Sequence, residues 1–223
     1  MRFDVVTIFQ GMFDAYFDES IIKRAQKKKL ITIKMHNLRK WAAGKHKKVD
    51  DKPYGGGPGM VFMVEPIYQA LRTIVGRGLV PRHGGGRAST LRDRDTRVVL
   101  TSARGKQFTA SDARRLSKYK RVVMICGRYE GVDERVFKYL VDEEFSVGPY
   151  ILTGGELPAM VMIDAIARQV PGVLGKRESL EEVRGGSFPQ YTRPEKFDKW
   201  RVPKVLLSGN HKEIQLWRSK HSK

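Results

Sequence analysis

Residues Arg121–Gly131 read "RVVMICGRYEG": six residues that are almost all apolar and largely β-branched, followed at once by Gly127 and, four residues on, by Gly131. Such a run, bounded by turn residues, predicts a strand buried on both faces, which is the habit of a parallel sheet. Working outward, "FDVVTIF" (Phe3–Phe9), "LITIKM" (Leu30–Met35) and "RVVLTS" (Arg97–Ser102) predict further strands. Between them lie helical patterns. Phe13, Phe17, Ile21 and Ala25 recur every fourth residue, with Ser20 as a cap or break. Helices are also predicted over about Glu65–Val75, from a Thr109/Asp112 capping box to about Tyr119, from about Val132, and over about Glu156–Val170. Alternating strands and helices imply an α/β fold, a mostly parallel sheet with helices on both faces.

Two segments fall outside that alternation. Gly76 to Asp95 is rich in glycine and arginine, without a period, and reads as a surface loop; Lys176 to Pro194 is a second long connection. After it, Asn210 and Glu213 can cap a last helix carrying Ile214 and Trp217. The expected organisation is a main domain over 1–175, a connecting loop over 176–194, and a short C-terminal segment over 195–223.

The composition narrows function. A chain of 223 residues with formal net charge +19 expects a polyanionic partner, and nucleic acid before an acidic membrane surface. "KRAQKKK" (Lys23–Lys29), "GKHKK" (Gly44–Lys48) and the arginines between Arg77 and Arg94 are the basic stretches; Trp41 and Tyr191 are aromatic candidates for stacking on bases, against ordinary packing. Cys126 is the one cysteine, so neither an intramolecular disulfide nor a cysteine zinc cluster is expected. No stretch reads as a signal peptide or a membrane span, which makes the cytoplasm the expected location.

Three glycine segments stand out: Asp50–Met60 ("DDKPYGGGPGM"), Cys126–Gly131 and Ser146–Pro158 ("SVGPYILTGGELP"). None carries the lysine and hydroxyl residue of a phosphate-binding loop, and none has the spacing of a dinucleotide fingerprint. Bare backbone at the carboxyl ends of neighbouring strands instead suits a flat ligand such as a purine, approached by amides and carbonyls.

Taken with "PGVLG", "YTRPE" and "VLLSGNHKEIQLWR", these segments make nearly the whole chain resemble the bacterial tRNA (guanosine(37)-N1)-methyltransferases of the SPOUT class. The resemblance implies a C-terminal trefoil knot in the α/β domain, S-adenosylmethionine held bent within it, and a homodimer whose active sites draw on both subunits. It implies methylation of N1 of the guanosine 3′ of the anticodon where another guanosine precedes it, an activity that helps keep the reading frame. Residue by residue, it carries the cofactor site onto Leu100, Thr101, Ser102, Gly127, Val147, Gly148, Pro149, Tyr150, Ile151, Leu152, Gly154 and Gly155. Ala103 stands where relatives often have proline. Asp50, Tyr54, Pro58 and Gly59 match the loop beside donor and target base, and Glu130 an acid near either.

Arg168 matches the arginine that stabilises charge on O6 of the guanine; its plainer role is a helix C-terminal cation meeting the dipole. The family's base is an aspartate in a pattern like S-x-x-E-D-S-F. Here the text is "ESLEEVRGGSF", and the aspartate position falls on Val183 counted from Ser179, or on Gly186 counted back from Ser187. Glu182, with Glu181 second, is the acid expected to serve. Relatives continue into a fuller helical C-terminal domain that grips tRNA, so a shortened form of it is expected here. Two other readings share these motifs: a non-catalytic RNA-binding relative, and a SPOUT enzyme with another RNA target.

Overall fold

The structure is a computed structural model and describes residues 1–76, 95–175 and 187–222. The expectations placed on the Arg77–Arg94 stretch and on Glu181, Glu182, Val183 and Gly186 lie outside the described residues. The chain divides into two units, Met1–Val173 and Leu174–Lys223.

The first unit is built on a five-stranded sheet. In chain order the elements are β1 (Arg2–Thr7), α1 (Asp14–Phe17), α2 (Ser20–Lys27), β2 (Thr32–Asn37), the short pair β3 (Asp50–Asp51) and β4 (Val61–Phe62), and α3 (Val64–Val75). Then come β5 (Thr96–Gln107), α4 (Ala110–Leu116), β6 (Arg121–Cys126), α5 (Glu134–Tyr139), β7 (Glu143–Ser146) and α6 (Glu156–Arg168). The sheet order is β2-β1-β6-β5-β7, and every neighbouring pair is parallel. β3 and β4 form a separate antiparallel pair.

Each sheet face has its own apolar layer. Phe3, Val5, Val99, Val122 and Met124 pack with Phe13, Phe17, Ile22, Leu116, Met162 and Ile166 on one side. Val6, Val98, Leu100, Val123 and Ile125 pack with Ile67, Leu71 and Val136 on the other. Alternate residues of β6 thus serve opposite layers, which is why its sequence is apolar without a gap.

Local departures from the expected elements have local causes. β1 ends at Thr7, whose hydroxyl oxygen accepts from the Phe9 amide at 3.0 Å, and a 3-10 turn over Gln10–Met12 follows. The helical stripe from Phe13 is two helices, broken before Ser20, which has φ +49°. The break rotates the second helix, so Ile22 is buried and Ile21 only half-buried. The Thr109/Asp112 capping box forms as expected, with Asp112 itself buried. α4 ends at Leu116 rather than near Tyr119, and α5 begins at Glu134 behind an Asp133 cap. β7 is an additional strand that the sequence reading lacked.

The second unit holds an antiparallel pair, β8 (Lys196–Phe197) and β9 (Trp200–Arg201), then α7 (Lys204–Leu207) and α8 (His211–Lys220). Asn210 caps α8, accepting from the Glu213 amide at 3.5 Å, as the sequence predicts. None of residues 187–222 is fully buried.

Candidate active site

A cavity of about 370 Å³ lies against the middle of β5 and at the carboxyl ends of β6 and β7, where open α/β sheets hold their ligands. Its walls come from three places. The middle of β5, where its ladder with β6 stops at Thr101, supplies Leu100, Thr101, Ser102, Ala103 and Arg104; the loop after β6 supplies Gly127 to Val132; β7 and the segment after it supply Glu144 to Val147 and Tyr150 to Gly155. Two of the three glycine segments therefore meet in one hollow.

Thr101 and Gly155 fix the floor. The buried Thr101 hydroxyl lies 3.2 Å from the carbonyl oxygens of both Ile125 and Gly155, to which it donates. The Gly155 amide donates to the Gly127 carbonyl at 2.8 Å. A Cβ on Gly155 would run into Thr101 Oγ1 and stand 2.8 Å from the Gly127 amide nitrogen. The residue is glycine because three backbone segments converge there. Replacing Gly155 with alanine is expected to abolish binding of S-adenosylmethionine, the donor that the resemblance implies, and to lower the melting temperature, both read by thermal shift with and without that ligand. An unchanged ligand-induced shift in the variant would show that the floor yields.

Next to it is a charge pair whose carboxylate is buried and whose guanidinium is partly exposed. Glu156, the first residue of α6, is buried and accepts from Thr7 Oγ1 at 2.8 Å and from Arg128 Nε at 3.0 Å. Arg128 also donates to the Thr153 carbonyl at 3.2 Å, and its guanidinium lies over the Phe9 ring at 4.6 Å. Arg128 and Gly154 form a β-bridge. The pair thus ties β1, the loop after β6 and the Val147–Gly155 segment together. Leaving one such charge buried without its partner costs about 3–5 kcal/mol. Cys126 is fully buried beside it; burial first, and then the Glu156 charge, push its thiol well above the ordinary range, so it offers no nucleophile.

The remaining sequence-predicted residues are placed as follows. Glu130 lines the cavity, and its amide donates to the Met60 carbonyl at 3.0 Å. Gly59 has φ +76°, and a Cβ there would stand 2.6 Å from Glu130 Oε1, so the first glycine segment presses on the cavity through Glu130. Asp50 (in β3), the fully exposed Tyr54, and Pro58 are not among the lining residues. Gly148 lies under the Tyr150 ring, and neither it nor the exposed Pro149 is in the wall. Arg168 is half-buried at the far end of α6, twelve residues and about 18 Å from the cavity end of that helix.

The full length of the chain, residues 1–223, matches the family model described as tRNA (Guanine-1)-methyltransferase TrmD. The chain belongs to this family. Among its relatives, a protein named tRNA (guanine-N(1)-)-methyltransferase from Dictyoglomus turgidum is 48% identical, covering 100% of this chain and 85% of the relative. Proteins of the same name from Clostridioides difficile and Geobacter sulfurreducens are 43% and 46% identical, covering 100% and 98% of this chain and 92% and 84% of theirs. Within this tRNA (guanine-1)-methyltransferase chain, Arg104, Arg128, Glu144 and Pro158 are wall residues that sequence reasoning missed. Arg128 and Glu156 stood inside quoted motifs, but their pairing joins positions 28 residues apart and leaves no local mark. Among the described residues no helix is long and apolar enough to cross a membrane.

Proposed function

We propose that the chain is an S-adenosylmethionine-dependent enzyme that methylates N1 of guanosine 37 in tRNA, next to the anticodon, and acts as a homodimer in the cytoplasm. The observation that carries this is the glycine-walled cavity against the middle of β5 and at the carboxyl ends of β6 and β7, in a chain that matches the family from end to end. The wall fits an adenosyl group. Leu100, Val147 and Leu152 offer apolar surface, and the close packing that glycine permits at Gly127, Gly154 and Gly155 brings backbone amides and carbonyls to the wall, where a flat ring can meet them. When bound, the donor supplies an electrophilic methyl carbon on a sulfonium. The SPOUT-type trefoil knot belongs to the same reading, supported by the convergence of the middle of β5, the loop after β6 and the Val147–Gly155 segment on Thr101 and Gly155.

The chain's own residues then have three tasks. The cavity and the Asp50–Gly59 segment hold donor and target base in line, and alignment alone can supply several kcal/mol. An acid removes the N1 proton; the sequence offers Glu182, with Glu181 second. A cation stabilises the charge that gathers on O6, and Arg168 is the candidate.

The distance of Arg168 from its own cavity supports a two-chain site. So does an exposed apolar patch near the same helix. Leu157 and Val161 are 49% and 46% exposed on α6, one turn apart, and Phe9, Met12 and Tyr16 are each more than 40% exposed. The Tyr16 hydroxyl donates to Asp164 at 2.6 Å; that hydrogen bond, with some burial, pushes its pKa up to about 12. Exposed apolar surface of this kind suits the isologous interface of a symmetric dimer.

For the RNA, the second unit offers Phe197 and Trp200 as an exposed cross-strand pair, ring centroids 5.9 Å apart, between Lys196, Lys199 and Arg201. Aromatic faces flanked by cations suit unpaired bases and the backbone beside them. Trp41, by contrast, donates from its indole to Thr73 at 2.9 Å and packs on the apolar layer.

The test is methyl transfer from labelled S-adenosylmethionine to unmodified tRNA transcripts. Transfer is expected to a transcript with guanosines at 36 and 37 and to vanish when guanosine 37 is replaced. Transfer to a different nucleotide would favour another RNA target, and binding of tRNA without transfer would favour a non-catalytic relative.

A further inference from the structure

β5 pairs with β7 in an unusual register. Thr101 and Lys106 both stand opposite Phe145, so Ser102–Gly105 leave the ladder as an excursion between them. Ser102, Ala103 and Arg104 of that excursion form one wall of the cavity. Bulges beside sites re-aim side chains, but an excursion of four residues also needs something to hold it.

Two features do so. Gly105 lies flat against β7: a Cβ there would be 2.6 Å from the Phe145 amide nitrogen and 2.7 Å from the Glu144 carbonyl carbon. Arg104 reaches in two directions. Its Nε donates to Glu144 Oε1 of β7 at 3.1 Å, and its Nη2 to Glu134 Oε2 of α5 at 2.5 Å. The guanidinium also lies over the Phe137 ring at 5.4 Å, and the Arg104 amide donates to Ser102 Oγ at 3.3 Å. Glu144 is only 8% exposed and itself lines the cavity. A fork that bridges two carboxylates fixes direction as well as distance, which a lysine cannot do.

We infer that Arg104 is a positioning residue: it clips the Ser102–Gly105 excursion to α5 and β7, and so keeps the cavity wall in the shape that receives the methyl donor. This rests on the donor reading of the cavity. The Arg104–Glu134 arm is exposed at both ends and adds little to global stability, whereas the Glu144 arm pairs a nearly buried carboxylate, so losing Arg104 costs stability as well as the position of the wall. Without it the excursion samples other positions, and only the fraction of molecules with the wall in place binds. A competent fraction of about one tenth raises the dissociation constant about tenfold. Once donor is bound the wall is in place again, so turnover at saturating donor is unchanged.

The experiment measures S-adenosylmethionine binding by calorimetry and steady-state kinetics for wild type, Arg104→Met, Arg104→Lys and Glu134→Gln. Arg104→Met is expected to raise both Kd and KM for the donor about tenfold, with kcat and KM for tRNA near wild type and a lowered melting temperature, because the nearly buried Glu144 loses its partner. Arg104→Lys should recover part of the loss. Glu134→Gln, an exposed change that removes one anchor and leaves the cavity wall untouched, should show a smaller rise of about threefold. Wild-type affinity in Arg104→Met overturns the inference, and so does a fall in kcat with donor KM unchanged. Wild-type affinity in Glu134→Gln overturns the α5 half of the clip. Failure of wild type to bind the donor would overturn the donor reading itself, and this inference with it.

Discussion

Arg168→Ala is expected to lower turnover at least ~100-fold, the usual cost of removing one donor that stabilises developing charge. Donor binding should stay at the wild-type level, because Arg168 is not in the wall of its own cavity. A helix C-terminal arginine that merely met the dipole would cost under ~1 kcal/mol on replacement and would leave turnover alone. The two roles are therefore far apart in magnitude. The position of Arg168 also allows a sharper test. If each site takes its cavity from one chain and Arg168 from the other, an Arg168→Ala chain paired with a donor-deficient Gly155→Ala chain has one intact site. Random mixing makes half of the dimers mixed, so about a quarter of wild-type activity should return from two inactive proteins. No recovery, with mixed dimers shown to form, would mean that the site is not shared.

The parts of the fold that were legible in the sequence are those whose cause is local. β6 spans Arg121–Cys126 as expected, because a strand covered on both faces must be apolar at every position. The Thr109/Asp112 box and the Asn210 cap formed because each is complete within four residues. β7 was hidden for the opposite reason. Glu143 and Glu144 look like a polar turn, and only the fold brings Arg115 to within 2.5 Å of the first and Arg104 to within 3.1 Å of the second. The same divide runs through the site. Glycine segments announce close backbone approach, and Gly59, Gly154 and Gly155 each have a neighbour where a Cβ would stand. The Thr7–Glu156–Arg128 network and the Arg104 clip join residues far apart in the chain, and no spacing rule predicts them. The separation of Arg168 from the cavity was likewise invisible in the residue itself, although the resemblance had implied a shared site.

The other large effect concerns the base. The resemblance places an aspartate base where this sequence has Val183 or Gly186, depending on the end from which it is counted, and neither residue can take a proton. If the protein methylates tRNA, Glu182→Gln should lower the rate at least ~100-fold, since it keeps size and hydrogen bonding but removes the base. Glu182 precedes the Val183 position by one residue, and its side chain is one methylene longer than that of aspartate. Arg168 and the base act on one equilibrium: a cation beside O6 makes N1 more acidic, so a weaker or less well aimed base suffices. Val183→Asp should therefore hold or raise the rate, by offering the carboxylate where the resemblance places it. Single-turnover transfer to a guanosine-37 transcript separates the cases, because product release does not mask chemistry there. Unchanged rates in both Glu182→Gln and Glu181→Gln would move the base elsewhere or assign its work to water. An inactive wild type revived by Val183→Asp would mean that the donor site and the RNA grip have outlasted the chemistry.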